Sequence, residues 1–113
     1  MEELIRQELS SYSRLDAERM ILAHKLVNDP AADTKEQYDT VIKRINTLNA
    51  WLRLLTYDER FVVEKHLIDG LDWPRIVSLY ERNWPGGFSR TERMLIKYQA
   101  RAIKKIASFM NHQ

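Results

Sequence analysis

The stretch HLIDGLDWPRIVSLY (66–80), followed after a short break by TERMLIKYQARAIKKI (91–106), decides how this chain folds. Its first part closes one helix and opens another. Asp69-Gly70 stops a helix, because glycine takes the left-handed backbone conformation that ends one. Asp72 is placed to cap the next helix, and Pro74 falls in its first turn, where a missing N–H costs nothing. Ile76, Val77, Leu79 and Tyr80 give that short helix its buried side. The second part is a long helix with two faces. At about 100° per residue, Tyr98, Phe109, Ala102, Leu95, Ile106, Met110, Ile103 and Ile96 share one arc. Arg90, Arg93, Lys97, Arg101, Lys104 and Lys105 fall in the opposite arc, interrupted only by Met94. One face is expected to pack on the body of the protein, and the other is a row of cations.

Working outward, Asn83-Trp84-Pro85-Gly86-Gly87 cannot continue a helix, so the chain turns there. Ser89 with Glu92 forms a capping box that opens the last helix, from about Ser89 to Met110. On the other side, Thr56 with Glu59 forms a second box, starting a helix that holds Phe61, Val62, Leu67 and Ile68. A helix, a tight Asp-Gly turn, a short helix, a polar turn and a long basic helix make a tri-helical helix-turn-helix. In that arrangement the short helix crosses the DNA backbone, with Arg75 and Arg82 in reach of phosphate, and the start of the long helix reads base edges.

The first half of the chain reads as a helical hairpin. From about Glu2 to Val27, Leu4, Ile5, Leu9, Tyr12, Leu15, Ile21, Leu22 and Leu26 have helical spacing, with a polar gap around Ser10, Ser11 and Ser13. Asn28-Asp29-Pro30 ends that helix. Asp33 with Glu36 offers a capping box for the next, whose Tyr38, Val41, Ile45, Leu48, Leu52 and Leu55 alternate by three and four residues. Such a seam must be covered. Its cover is either the rest of the chain or a second copy, which would make a homodimer. The expected architecture is all-α with about five helices: a hairpin over 1–55, then a helix-turn-helix domain over 56–113.

Composition narrows the function. The chain of 113 residues is 44% hydrophobic and 30% charged, an ordinary balance for a folded domain. Without cysteine there is neither a disulfide nor a Cys-type zinc site. No apolar run approaches membrane-spanning length, and the charged start MEELIRQELS argues against a signal peptide. Net charge is +2, but it is divided unevenly: residues 89–113 carry about +5 and the rest about −3. A basic end on a slightly acidic chain is a footprint of nucleic-acid binding, although a solvated helix face produces the same pattern. His24, His66 and His112 have no metal spacing, and the lone glycine pair lacks a phosphate-loop ending. No catalytic constellation is present, so no enzyme and no cofactor are expected.

Asp69-Gly70-Leu71-Asp72-Trp73, then Ile76-Val77, then Ala102-Ile103-Lys104-Lys105-Ile106 resemble region four of bacterial sigma factors. More specifically, they are similar to phage late-gene activators of the ArpU and RinA type. The likeness covers roughly residues 56–107. It implies that Thr91 starts the recognition helix, that Arg93, Met94, Lys97 and Arg101 face DNA, and that Leu95 is core. It also implies bacterial RNA polymerase as a partner, and a cytoplasmic, nucleoid-associated place in the host cell. The chain departs from the family in the insertion NWPGG. The expected DNA-binding set is therefore Arg75, Arg82, Ser89, Arg90, Thr91, Arg93, Met94, Lys97, Arg101 and Lys104, on double-stranded DNA. Two other readings compete: a phage small terminase subunit, which would form a ring, and a polymerase-binding adaptor that reads no DNA.

Overall fold

A computed structural model describes residues 1–83 and 90–112. The fold is all-α. Among the described residues there are six helices: α1 Glu2–Ser10, α2 Tyr12–Asn28, α3 Ala32–Arg53, α4 Tyr57–Val63, α5 Trp73–Asn83 and α6 Glu92–Asn111. A π-helical turn, Glu64–Ile68, continues α4 without a break.

Six helices rather than about five arise because the first stretch is not one helix. It breaks at Ser11, within the polar gap. The Ser10 hydroxyl donates back to the Arg6 carbonyl at 2.8 Å, and the Ser11 hydroxyl to that of Glu8 at 2.6 Å. The Ser11 N–H is shared between the Gln7 and Glu8 carbonyls. Serine hydroxyls that compete for helix carbonyls bend helices. The bend sends α1 onto α6 and the π turn, while α2 continues alongside α3. Tyr12 fixes the corner by donating from its hydroxyl to Asn49 Oδ1 on α3 at 2.8 Å.

The α2–α3 hairpin forms as the spacing predicts, but its second helix starts earlier. The residue before α3 is Ala31, with no side-chain cap, so Asp33 and Glu36 do not form the expected box. Asp33 lies in the first turn, where a carboxylate still favours the helix dipole. The seam residues Val41, Ile45, Leu48 and Leu52 are buried within the chain, in one core with Ile5, Leu9, Leu15, Trp51, Val63, Ala102, Ile103 and Ile106. Each fully buried Leu or Ile in such a core contributes roughly 1.5–3 kcal/mol. The cover of the seam is thus the chain itself, and α1 with the inner hairpin shares that core with α6.

A second core belongs to the last three helices. Phe61 and Val62 of α4, Ile76 and Tyr80 of α5 and Leu95 of α6 are buried together, with Trp73, Val77 and Tyr98 against them. The molecule is elongated, 53 × 33 × 19 Å, with a radius of gyration of 16.7 Å. A compact chain of this length would have about 13 Å. The excess belongs to the hairpin: between Met20 and Val41 only Leu22 and Val41 are buried.

Candidate nucleic-acid interface

Two polar contacts hold helix α6, and a third ties together the α4–α5 pair beside it. At the start of α4, Thr56 and Glu59 form the expected capping box: the Glu59 N–H donates to the Thr56 hydroxyl, and the Thr56 N–H to Glu59 Oε1. Glu59 is fully buried and also receives Lys105 Nζ of α6 at 2.7 Å. Burial alone would push the Glu59 carboxyl up. The Lys105 ammonium and the Thr56 N–H more than offset this and hold it below the usual carboxylate range. In the π turn, His66 stacks on Trp73 with ring centroids 4.1 Å apart, and its Nδ1–H donates to Gln99 Oε1 of α6 at 2.6 Å. Between α5 and α4, Tyr80 packs edge-on against Phe61 and donates its hydroxyl to Asp58 Oδ1 at 2.8 Å. Burial and then the Asp58 carboxylate raise the Tyr80 phenol above its ordinary range.

Both ends of the turn into α5 are built locally. Gly70 has φ +72°, and the Leu71 N–H closes on the Lys65 carbonyl at 3.0 Å. Asp72 caps α5 as the sequence predicts, its Oδ1 accepting from the Arg75 N–H at 3.1 Å. The start of α6 differs from expectation. Its cap is Thr91, whose hydroxyl accepts from the Met94 N–H at 3.3 Å, and the helix begins at Glu92. Ser89, expected both to cap this helix and to touch DNA, lies outside the described residues, as does the Trp84-Pro85-Gly86-Gly87 insertion.

The inner face of α6 is Leu95, Gln99, Ala102, Ile103 and Ile106, all buried. On the opposite face Arg93, Lys97, Arg101 and Lys104 are exposed. Their spacing of four, four and three residues sets them in one stripe about 16 Å long at 1.5 Å per residue. Arg101 lies over the Tyr98 ring, 5.5 Å from its centroid, which orders its guanidinium. Met94 is exposed beside the stripe, and Thr91 is exposed at its head. Arg75 and Arg82 are exposed on α5, where they flank a shallow groove with Leu71, Pro74, Ser78 and Leu79.

Two expected cations are drawn away from the stripe. Lys105 is committed to Glu59. Arg90 is half-buried, hydrogen-bonded to Tyr80 with Asp58 beside it, and so ties the entry of α6 to α4 and α5. The wheel also placed Ile96 and Phe109 on the packed face, yet both are exposed. The buried arc is narrower than the apolar one: Ile96 falls on its flank, and Phe109 lies near the end of the helix. Sequence reading missed the inward role of Gln99, which takes the place of an apolar residue because His66 reaches across to it.

No family model matches the chain, and no solved structure matches it. Among the described residues, no helix is long and apolar enough to cross a membrane.

Proposed function

We propose that this protein is a sequence-specific DNA-binding transcription regulator that reads double-stranded DNA with α6. The observation that carries the reading is the stripe Arg93, Lys97, Arg101 and Lys104, exposed on a helix whose other face is fixed by two cores and two polar anchors. A rigid helix is what base reading requires, because a side chain displaced by about 1 Å loses its hydrogen bond to a base edge. Arg93 and Lys97, in the first turns of α6, are the base-reading candidates. Arg101 and Lys104, farther along, suit phosphate. Arg75 and Arg82 would extend the phosphate contacts along α5. Arg90 serves by holding the head of α6 in place.

The resemblance to ArpU- and RinA-type proteins makes the regulator a phage or prophage late-gene activator, working with bacterial RNA polymerase in the host cytoplasm. The test is a gel shift on fragments from the protein's own genomic neighbourhood, with competitor DNA. A discrete shift on one fragment that survives competitor supports the reading. Smearing that moderate salt abolishes on every fragment contradicts it and favours the polymerase-binding adaptor.

A further inference from the structure

The outer half of the α2–α3 hairpin carries a groove of about 670 Å³, whose apolar lining is Ile21, Leu22 and Val41. Ile21 is 57% exposed although it faces this groove. Four charged positions frame it. On α2, Glu18 stands at the inner end and Lys25 near the turn. On α3 the order is reversed, with Arg44 at the inner end and Glu36, beside Asp33, near the turn. The signs therefore alternate around the groove: negative and positive along one helix, positive and negative along the other. Such a checkerboard is complementary to itself. When two copies are laid face to face about a twofold axis, every cation meets a carboxylate.

We propose that this face binds a second copy of the chain, α2 lying antiparallel on the partner's α2 about a twofold axis beside Ile21. Glu18 and Lys25 are seven residues apart, about 10.5 Å along the helix, with Ile21 between them. An axis at that midpoint sets Glu18 against Lys25 of the other copy and Ile21 against its own equivalent. It also sets Glu36 against Arg44. The alternative twofold axis, which crosses α2 over α3, satisfies the charges equally but sets Ile21 against Thr40, leaving the apolar side chain on a polar one. Among the described residues, Lys25 makes no ion pair, while Glu18 has only a 3.9 Å contact with Arg14. Arg44 is already held by Glu8 at 3.1 Å, so α2 supplies most of the attraction. The lining runs about 16 Å along the hairpin and about 20 Å across its two helices, about 320 Å² per copy against about 800 Å² for a standard interface. The dimer is accordingly reversible and weakened by salt. This surface is separate from the α6 stripe, and the proposal does not depend on DNA binding.

The test is sedimentation velocity of the full chain in low salt, from about 10 to about 500 µM, so that mass action favours the dimer. Wild type is expected to move from monomer to dimer across that range. Lys25→Glu and Glu18→Lys, each alone, leave like charges facing and remain monomeric. Mixing the two variants restores unlike pairs and regenerates the dimer, which only the α2-on-α2 arrangement permits. Both positions are exposed, and unchanged circular dichroism confirms that the variants fold. A wild type that stays monomeric throughout, single variants that dimerise as wild type does, a mixture that stays monomeric, or a closed ring would each overturn the proposal.

Discussion

At the residue scale, cations that look alike in the sequence are placed differently: Arg93 and Lys97 are exposed, while Lys105 and Arg90 are tied to other helices. Arg93→Ala or Lys97→Ala should therefore weaken specific DNA binding by about 1–3 kcal/mol if either reads a base. Stability to urea should stay within about 0.5 kcal/mol of wild type, as for surface sites generally. Lys105 and Glu59 belong to the scaffold instead. Glu59 has a carboxyl pKa held below the usual range, so its contribution to stability is fully present above about pH 4.3, the ordinary glutamate value. It is lost as the pH falls through the lower folded value. Urea midpoints should therefore drop in acid for wild type, and Glu59→Gln, already less stable at neutral pH, should lose part of that acid dependence. An acid profile identical to wild type would show that the Lys105 contact does not set the titration. Little of this sorting was legible in the sequence. Glu59 could be read as a capping residue, because its partner Thr56 is three residues away. Its second partner is 46 residues away, and Arg90 meets Tyr80 and Asp58 only because three helices converge.

Elements whose limits are set by neighbouring residues were read closely. Thr56, Gly70 and Asp72 each do in the structure what their local chemistry dictates. At Gly70, an added Cβ would meet nothing within 4 Å, so only the positive φ resists substitution. Gly70→Ala should thus cost about 1–2 kcal/mol in urea unfolding, the backbone penalty for a left-handed alanine. Gly70→Asn should cost less, since asparagine tolerates that conformation. Equal losses for the two would point to a side-chain clash and contradict the geometry. The bend at Ser11 and the widening of α4 into its π turn were not legible as such. The polar gap marks the place at Ser11, but only the serine back-bonds turn it into a bend, after which Ile5 and Leu9 share a core with Ala102, Ile103 and Ile106 of α6. Asp33-Glu36 satisfies the capping pattern, yet α3 starts two residues earlier because Ala31 already has the extended backbone of a cap.

Taken as a whole, the molecule is a braced basic helix with a hairpin projecting from it. The first was written in the sequence as two opposite arcs on α6, and the structure keeps four of the six cations of that arc on the exposed face. The hairpin was legible as a pair of helices, but its exposed outer face was not, because the seam and the groove use neighbouring positions. The two proposed surfaces make separable predictions: variants in α2 are expected to change oligomeric state, and variants in the stripe to change DNA affinity. The central claim is that α6 binds DNA through its cations. The most direct measurement is the affinity for a shifted fragment across a salt series, plotted as logarithms. With Arg101 and Lys104 on phosphate the predicted slope is about −1.8, rising in size to about −3.6 if Arg75 and Arg82 also engage. Replacing Arg93, Lys97, Arg101 and Lys104 together by alanine should flatten it by about the first amount. A wild-type slope near zero, or one the fourfold variant leaves unchanged, would contradict the claim.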